Sequence, residues 1–539
     1  MKNMTKPISS KWIAWCALLI IIVFTGTIRY SLLSVPLERD EGEYAYAGQL
    51  ILQGVPPYLA VCNMKLPGIY AAYAFFLAVF GQTHQGIHAG LLIINAITTI
   101  IIFLLAKHIT NPLGAIVSAA IFALLSVSQS VQGIFANAEH FVILFATGGL
   151  LVMLWGLAKA SLCRLFVAGL LLGLSFVMKQ HGLAFSIFAA LYIVFDSLRQ
   201  RPLQWRVSAL RLLSFAAGFI AIFACLCIIM AWAGVFRNFW FWTVDYACAY
   251  LSQVPLEQAW QNFVAMAMGI VRPAPLLWTL IGLGFFAIVT KRIAKHHRKF
   301  LAMYAIFSIL SICPGFYFRP HYFVLLLPCA SLFAGNAISA LSDFLSRFSS
   351  KKIQYGIPIF LIVACLGQSI YQQHEFLFQM TPFQVSRSTY GLNPFPESLK
   401  IADFIQKRTN SEDRIAILGS EPQIYFYSRR RSATGYIYMY PLMENHDFAL
   451  QMQKDFISNI EEKPPKYLIV VNVPTSWLRR IDSHMMLHEW FQDYQKNFRL
   501  VGVIELFVDK TIYYWEQNVK WPVSSEYWIV VLERSIVKM

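Results

Sequence analysis

The stretch WIAWCALLIIIVFTGTI, residues 12–28, decides the fold class, because it is apolar for nearly the length of a membrane span. A transmembrane helix needs about 20 predominantly apolar residues. The chain has 539 residues, of which 57% are hydrophobic and 13% charged, whereas a soluble domain carries about 25% charged residues. Apolar segments recur up to residue 371. The sequence therefore predicts a polytopic α-helical membrane protein with about eleven spans.

The distribution of basic residues predicts the orientation. The formal net charge is +16, and lysines and arginines concentrate in alternate short segments such as 2–11, 199–211, 291–299 and 347–352. Cytoplasmic loops carry such an excess, so we expect a cytoplasmic N-terminus and no nucleic-acid partner. The first span is expected to stay uncleaved, with a signal peptide as the alternative. An odd number of spans places the C-terminal region outside.

The character of the chain changes near residue 375. Helical periodicity over 397–408 and 447–463 alternates with strand-like apolar runs at 414–419, 466–473 and 498–517. Alternating helices and strands are typical of an α/β domain. We expect a membrane module over residues 1–374, with a first external loop at 32–85, and an extracytoplasmic α/β domain over 375–539.

The first external loop concentrates acidic residues in PLERDEGEYAYAGQLILQG, residues 36–54. Asp40 and Glu43 are three residues apart, so in a helix both carboxylates lie on one side near its start, where negative charge is favoured. The alternative is a solvated acidic loop that simply obeys the charge bias of external loops.

Other charged residues fall at predicted outer ends of spans. They are Lys65, Glu139, His140, Lys179, His181, Arg319 and His321. Charged groups at span ends often mark substrate paths, although any single one is equally explained by snorkelling. Because all of them lie on one predicted face, we expect them to gather around one external cavity.

The chemistry of this set suits transfer from a lipid-phosphate donor. Asp40 and Glu139 can act as general base and acceptor positioner, while Lys65, Arg319 and Lys179 can neutralise a phosphate. The sequence has no Gly-rich phosphate loop and no HExxH or paired-cysteine spacing. Nucleotide use is therefore not expected, and neither is a metal site.

Several of these motifs, taken in order, resemble the GT-C membrane glycosyltransferases. They are RDEGEYAYAGQLILQGVPPY from residue 39, KLPGIYAAYAFFLAVFG from 65, NAEHFVILF from 137, GLLLGLSFVMKQHGL from 169 and FRPHYFVLLLPCASLFAG from 318. The resemblance covers most of residues 10–475. It is nearest to the bacterial branch related to protein O-mannosyltransferases and aminoarabinose transferases.

The resemblance implies a polyprenyl-phosphate-linked sugar as donor and inversion at the anomeric carbon. It assigns the base to Asp40 with Glu41 beside it, a second acidic site to Glu139, and donor-phosphate contacts to Lys65 and Arg319. Substrate-binding positions are then expected at the neighbouring side chains Glu43, Tyr44, His140, His321 and Tyr322. No cofactor is implied beyond the donor substrate.

Two departures keep the substrate open. Glu43 stands where aminoarabinose transferases carry arginine, and Met64 where they carry an acidic residue, so neither lipid A as acceptor nor a metal follows. A glycan, a lipid or a protein can be the acceptor, and membrane lipids are the expected surroundings. A bacterial inner membrane is the expected location. The alternative functions are a transporter or flippase of a lipid-linked or anionic substrate, and a non-catalytic envelope assembly or sensor protein.

Overall fold

A computed structural model describes residues 10–199, 204–251, 253–289, 295–348 and 350–535. Basic residues used above to predict orientation, such as Lys2, Lys6, Arg201, Lys291 and Arg292, lie outside these ranges. The chain divides into two compact units. We call the first the span unit (Met1–Leu33, His88–Ile228 and Val254–Gln379) and the second the sheet unit (Ser34–Ile87, Ile229–Gln253 and Met380–Met539).

The first 17 α-helices in chain order are α1 Ser10–Ser31, α2 Arg39–Leu52, α3 Pro67–Phe80, α4 His84–Ile109, α5 Pro112–Leu125, α6 Ala138–Ala158, α7 Leu162–Met178, α8 Leu183–Leu198, α9 Trp205–Trp232, α10 Phe236–Trp240, α11 Ala247–Leu251, α12 Leu256–Val271, α13 Pro275–Val289, α14 Lys295–Ile312, α15 Leu327–Leu345, α16 Lys351–Gln372 and α17 His374–Phe378. Helices α2, α3, α10 and α11 belong to the sheet unit.

Seven described helical segments are long and apolar enough to cross a membrane. They are Trp12–Ser31, His84–Ile109, Ala138–Ala158, Gln180–Leu198, Trp205–Trp232, Pro320–Leu345 and Lys351–Gln372. The chain is therefore a multi-pass membrane protein, as predicted. Helices α12 and α13 would make an eighth span, but they are bent by 112°. Pro273 lies within this break and Pro275 begins α13, and proline interrupts a helix by removing a donor and clashing with the preceding turn.

The predicted number of about eleven spans stays a prediction. The apolar segments behind it are helical, but α5 and α7 have 14 and 17 residues. These two helices are shorter than a full span of about 20 residues. Helix α14 begins with the basic run KHHRK, which lowers the mean hydropathy of the helix.

Close packing of α5 against α15 in the span unit depends on two glycines. A Cβ at Gly335 of α15 would lie 2.4 Å from the carbonyl oxygen of Gly114 in α5, and a Cβ at Gly114 would lie 2.7 Å from the carbonyl oxygen of Gly335. Small residues allow helix backbones to approach closely where lipid gives no hydrophobic drive for association. The α5–α15 pair thus has the contact geometry of membrane helices.

The sheet unit also contains the elements after residue 380, which form an α/β domain as predicted. They are α18 Pro382–Tyr390, α19 Phe395–Arg408, β1 Arg414–Leu418, α20 Pro422–Ser428, β2 Arg431–Ser432, α21 Tyr440–Met443, α22 Ala449–Glu462, β3 Tyr467–Asn472, α23 Pro474–Trp477, α24 Met486–Tyr494, β4 Phe498–Leu506, β5 Thr511–Trp515 and β6 Tyr527–Arg534.

One mixed sheet organises this domain, with strand order β2-β1-β3-β6-β4-β5. β1 pairs in parallel with β2 and β3, and the remaining pairs are antiparallel. β6, which sequence analysis did not predict, lies between β3 and β4 with Val531 opposite Ile469. The final apolar run therefore completes the centre of the sheet.

The first loop packs into the sheet unit rather than standing apart from it. A Cβ at Gly42 of α2 would lie 2.6 Å from the backbone nitrogen of Gln423 in α20. Helix α2 also packs against α3, where Tyr44 contacts Tyr73 with ring centroids 5.3 Å apart. The sheet unit thus combines the first loop with residues after 380, a division that differs from the predicted boundary at residue 374.

Candidate active site

The start of α2 is fixed by a capping box. The carboxylate of Glu38 accepts a hydrogen bond from the Glu41 backbone N–H at 2.9 Å, and the Glu41 carboxylate accepts one from the Glu38 backbone N–H at 3.1 Å. Such reciprocal bonds satisfy donors that a helix start otherwise leaves unpaired. Glu41 is fully buried, so the structure gives it a positioning role, and its part in chemistry stays a prediction.

Asp40 lies at the centre of the loop cluster, which we define as Asp40, Tyr44, Lys65 and Tyr438. The Lys65 ammonium donates to Asp40 Oδ2 at 3.1 Å and to the Tyr44 hydroxyl at 3.2 Å. The Tyr438 hydroxyl donates to Asp40 Oδ1 at 3.2 Å and to the Arg39 carbonyl oxygen at 3.0 Å. Both carboxylate oxygens of Asp40 are therefore engaged, one of them by a cation.

Lys65 is held by the backbone that precedes α3. The Tyr58 hydroxyl donates to the Lys65 carbonyl oxygen at 2.6 Å, and Pro67 begins α3 two residues later. The Asp40 and Lys65 side chains are 21% and 14% exposed. The ion pair is thus shielded from bulk water but can still be reached by a ligand.

Glu43 lies one turn after Asp40 and is fully buried. Its carboxylate accepts hydrogen bonds from the Tyr70 hydroxyl at 2.5 Å and from the Asn63 side-chain amide at 2.8 Å. Burial raises the pKa of Glu43 from 4.5 to about 7; Asp40 adds to the rise, and Lys65 opposes it. Near neutral pH Glu43 is therefore poised between its two protonation states.

Arg39 links the start of α2 to the loop after β1. Its guanidinium donates to the carbonyl oxygen of Ser420 at 2.5 Å and pairs with the Glu421 carboxylate at 3.0 Å. Arg39 also lies over the ring of Tyr440, 5.5 Å from its centroid. These contacts hold the segment that carries Tyr438 against the residue next to Asp40.

The span unit contains a second set of polar residues, which we call the span cluster: Glu139, Lys179, His181, His321 and Tyr322. The Lys179 ammonium donates to Glu139 Oε1 at 2.5 Å and lies 4.3 Å from the Tyr322 ring centroid. Glu139 and Lys179 are both buried. Like the loop cluster, this one pairs a carboxylate with a lysine beside a tyrosine.

The two histidines of the span cluster surround Tyr322. The His181 and His321 rings lie 4.8 Å and 5.0 Å from the Tyr322 ring, both edge-on. His321 Nδ1 is 3.0 Å from Gln132 Oε1. Glu139 Oε2 is buried and has no hydrogen-bond partner among the described residues, so it can accept one more hydrogen bond.

Two further predicted site residues of the span unit are His140 and Arg319. His140 is buried next to Glu139, and no hydrogen bond joins it to the span cluster in the described part of the chain. Arg319 precedes the 3-10 turn at Pro320, with its guanidinium 5.4 Å from the Tyr317 ring centroid. Their roles in substrate binding stay predictions.

No three His, Cys, Asp or Glu side chains within the described ranges come together in a way that could hold a metal ion. The loop cluster instead neutralises Asp40 with Lys65.

Sequence reasoning missed several residues that hold α2 and its side chains in place. Tyr438, Asn63, Tyr70 and the Arg39–Glu421 pair all contact α2 or its side chains. Tyr438 stands in the run YIYMY, whose alternating tyrosines are a signal, but such a run is equally typical of aromatic packing inside a domain.

Comparison with known proteins places this geometry in a structural context. The sequence model of the dolichyl-phosphate-mannose-protein mannosyltransferase family matches residues 65–228, less than a third of the chain. A comparison with curated protein sequences finds no match. The family match begins at Lys65 and includes Glu139 and Lys179.

Solved structures match over almost the whole chain. ArnT from Cupriavidus metallidurans in the apo state gives a TM-score of 0.58 at 15% identity, over 97% of this chain and 98% of that one. The same protein bound to undecaprenyl phosphate gives 0.57 at 13% identity, with the same coverage. Archaeal oligosaccharyltransferase AglB from Archaeoglobus fulgidus, in complex with an inhibitory peptide and a dolichol-phosphate, gives 0.56 at 10% identity, over 95% of this chain and 75% of that one. The chain therefore has the predicted GT-C fold.

Proposed function

We propose that this GT-C protein is a glycosyltransferase that moves a sugar from a polyprenyl-phosphate donor to an acceptor hydroxyl at the outer face of a bacterial inner membrane. The observation that carries the proposal is the ion pair of Asp40 with Lys65. It combines a candidate base with a candidate phosphate ligand on the first loop of this fold. The names of the matching family and of the solved relatives, which include polyprenyl-phosphate complexes, support a lipid-linked donor.

Asp40 is proposed as the general base. Its carboxylate takes the proton of the acceptor hydroxyl while that oxygen forms a bond to the anomeric carbon of the sugar. The bond from the anomeric carbon to the donor phosphate breaks on the opposite side, and the polyprenyl phosphate leaves with the electron pair. Attack opposite to the leaving group inverts the anomeric carbon.

Lys65 is proposed to exchange partners during this reaction. In the structure its ammonium neutralises Asp40, which lowers the tendency of the carboxylate to accept a proton. A donor phosphate is also anionic and can accept charge-assisted hydrogen bonds from the ammonium. Movement of Lys65 onto the phosphate would free Asp40, so donor binding would activate the base before an acceptor reacts.

The span cluster is proposed to serve the same reaction. Glu139 Oε2, buried and able to accept a hydrogen bond, suits orientation of an acceptor hydroxyl. Lys179 and Arg319 are proposed to neutralise the charge that develops on the leaving phosphate. Glu41 is proposed to support Asp40 through the capping box, and Glu43, Tyr44, His140, His321 and Tyr322 to line the sugar or acceptor positions.

The proposal is tested in two steps. Mass spectrometry of envelope glycolipids and glycoproteins from a deletion strain should show the loss of one glycan, which names the acceptor. Membranes containing the protein should then transfer that sugar from a radiolabelled polyprenyl-phosphate donor. An unchanged glycan profile, together with no transfer from a panel of polyprenyl-phosphate sugars, would overturn the proposal.

A further inference from the structure

An exposed apolar turn at residues 478–485 of the sheet unit is not used by the proposed chemistry. Ile481 stands at its tip with its side chain completely exposed, at 109% of the reference area, and Leu478 and Met485 are 40% and 39% exposed. Among the described residues, Ile481 is the most exposed large apolar side chain. We call this segment the apolar turn.

The apolar turn is built by specific hydrogen bonds. The Arg480 backbone N–H donates to Ser483 Oγ at 2.8 Å, and Ser483 Oγ donates to the Met443 carbonyl oxygen at 2.5 Å. The Gln453 side chain donates to the His484 carbonyl oxygen at 2.9 Å. The exposure of Ile481 is therefore fixed by the fold of the sheet unit.

A hydrogen bond connects the apolar turn to Gln253, which precedes helix α12 in the sequence. The Arg480 guanidinium donates to Gln253 Oε1 at 2.6 Å, and Gln253 donates in turn to the Asn445 carbonyl oxygen at 2.9 Å. Gln253 is three residues before Leu256, where α12 begins. Two intervening residues span at most about 11 Å, so Gln253 lies close to the start of that apolar helix.

The segment Ile229–Gln253 is rich in exposed aromatic residues, as expected near a membrane–water interface. It begins in the last turn of α9, a candidate span, where Trp232 is 89% exposed. Phe236, Trp240 and Leu251 of the same segment are also exposed. Tryptophan concentrates at membrane–water interfaces because its ring is apolar with one polar edge.

Arg479, next to the tip, is a cation that can bind the phosphate groups of phospholipids. Arg479 and His484 are exposed on either side of Ile481, and the carboxylate of Asp482 accepts a hydrogen bond from the Asn445 side chain. Apolar side chains flanked by arginine bind at the boundary of headgroups and acyl chains.

We propose that the apolar turn inserts Ile481, Leu478 and Met485 into the interfacial layer of the membrane, with Arg479 on lipid phosphates. The occupant of this surface is the phospholipid bilayer beside the start of α12. The turn would thereby anchor the sheet unit to the membrane at a second point, besides the helices that enter it.

The test uses the full-length protein in phosphatidylcholine vesicles, with and without phosphatidylglycerol. Ile481→Cys is labelled with an environment-sensitive nitrobenzoxadiazole dye, and Val508→Cys, 78% exposed at the β4–β5 turn, is the matched control. The unsubstituted chain labelled in parallel supplies the background from its nine native cysteines. The label at 481 should emit at a shorter wavelength than the label at 508. Lipids that carry a nitroxide near the headgroup should also quench it about twofold or more strongly than they quench the label at 508.

Arg479→Glu, introduced into the labelled Ile481→Cys variant, should reduce that quenching, since it removes the contact with lipid phosphate. A label at 481 with the emission and quenching of the label at 508 would overturn the proposal. A wavelength shift that disappears when the protein is diluted into excess lipid would also overturn it, because it would assign the surface to a second copy of the chain.

Discussion

The hydroxyl of Tyr438 donates a hydrogen bond of 3.2 Å to Oδ1 of Asp40, across 398 residues of sequence. The same hydroxyl donates to the carbonyl oxygen of Arg39. The candidate base is thus held by a residue of the C-terminal α/β domain. That domain is therefore part of the structure that positions Asp40.

Asp40→Asn should abolish transfer, because an amide of the same shape cannot accept the proton of the acceptor hydroxyl. We expect a loss of about 100-fold to 10,000-fold in transfer from a radiolabelled polyprenyl-phosphate sugar. Asp509→Asn, at the exposed β4–β5 turn, is the control and should leave the rate unchanged. Turnover of the Asp40 variant like that of the wild type would exclude the proposed base and favour transport or assembly.

Lys65→Ala should weaken the use of donor more than the use of acceptor. Loss of a charge-assisted hydrogen bond to the phosphate should raise the apparent KM for donor about tenfold or more. Initial rates at varied donor and at varied acceptor separate the two effects, with Lys510→Ala as the exposed control. An unchanged KM for donor would contradict the proposed exchange of partners by Lys65.

Tyr438→Phe should lower kcat and leave the KM for donor unchanged, because the substitution removes one hydrogen bond to Asp40 while keeping the ring. We expect a decrease of about fivefold to tenfold in kcat. Tyr436→Phe removes a comparable hydrogen bond, to Asp455, and is the control. If both variants lose thermal stability and rate to the same extent, the role of Tyr438 is structural.

Glu43→Gln should change how stability depends on pH. Because burial raises the pKa of Glu43 to about 7 from 4.5, the folded state holds a proton that the unfolded state has lost between these values. Wild-type stability should therefore fall as pH rises from 4.5 to 7, by on the order of 2–4 kcal/mol. Thermal unfolding in detergent from pH 5 to 8 should show the melting temperature of the variant rising relative to wild type. A pH-independent difference would contradict this prediction.

Gly42→Ala should separate α2 from α20, since the added Cβ would lie 2.6 Å from the Gln423 backbone nitrogen. Overpacking of this kind costs about 1–3 kcal/mol, and it should lower both the melting temperature and the rate. Gly356→Ala in α16 has open space around the added Cβ and should be neutral or slightly stabilising. Equal stability of the two variants would show that α2 tolerates displacement.

Much of the architecture could be predicted because it depends on local periodicity. The amphipathic pattern at 397–408 and 447–463 corresponds to α19 and α22, and the apolar runs at 414–419 and 466–473 correspond to β1 and β3. β6 escaped prediction, since its run YWIVVLER carries no alternation that distinguishes a central strand from other apolar segments.

The candidate site was predictable in part. Asp40 and Lys65 lie on one loop with opposite charges, and the structure brings them together. Tyr438 could not be assigned, because a tyrosine in an aromatic run is equally typical of packing, and because its partner is remote in sequence. The Glu139–Lys179 contact joins two span ends that the sequence placed on one face, without indicating that they pair.

The three-segment construction of the sheet unit has a consequence for biogenesis. The ribosome completes residues 34–87 long before residues 380–535, so α2 is synthesised together with α3 but before Tyr438 and Glu421. Until those arrive, the acidic helix has no fixed partner for Asp40 from the α/β domain. A polypeptide arrested before that point would carry the proposed base without the hydrogen bond from Tyr438, so the proposed chemistry would require synthesis through the α/β domain.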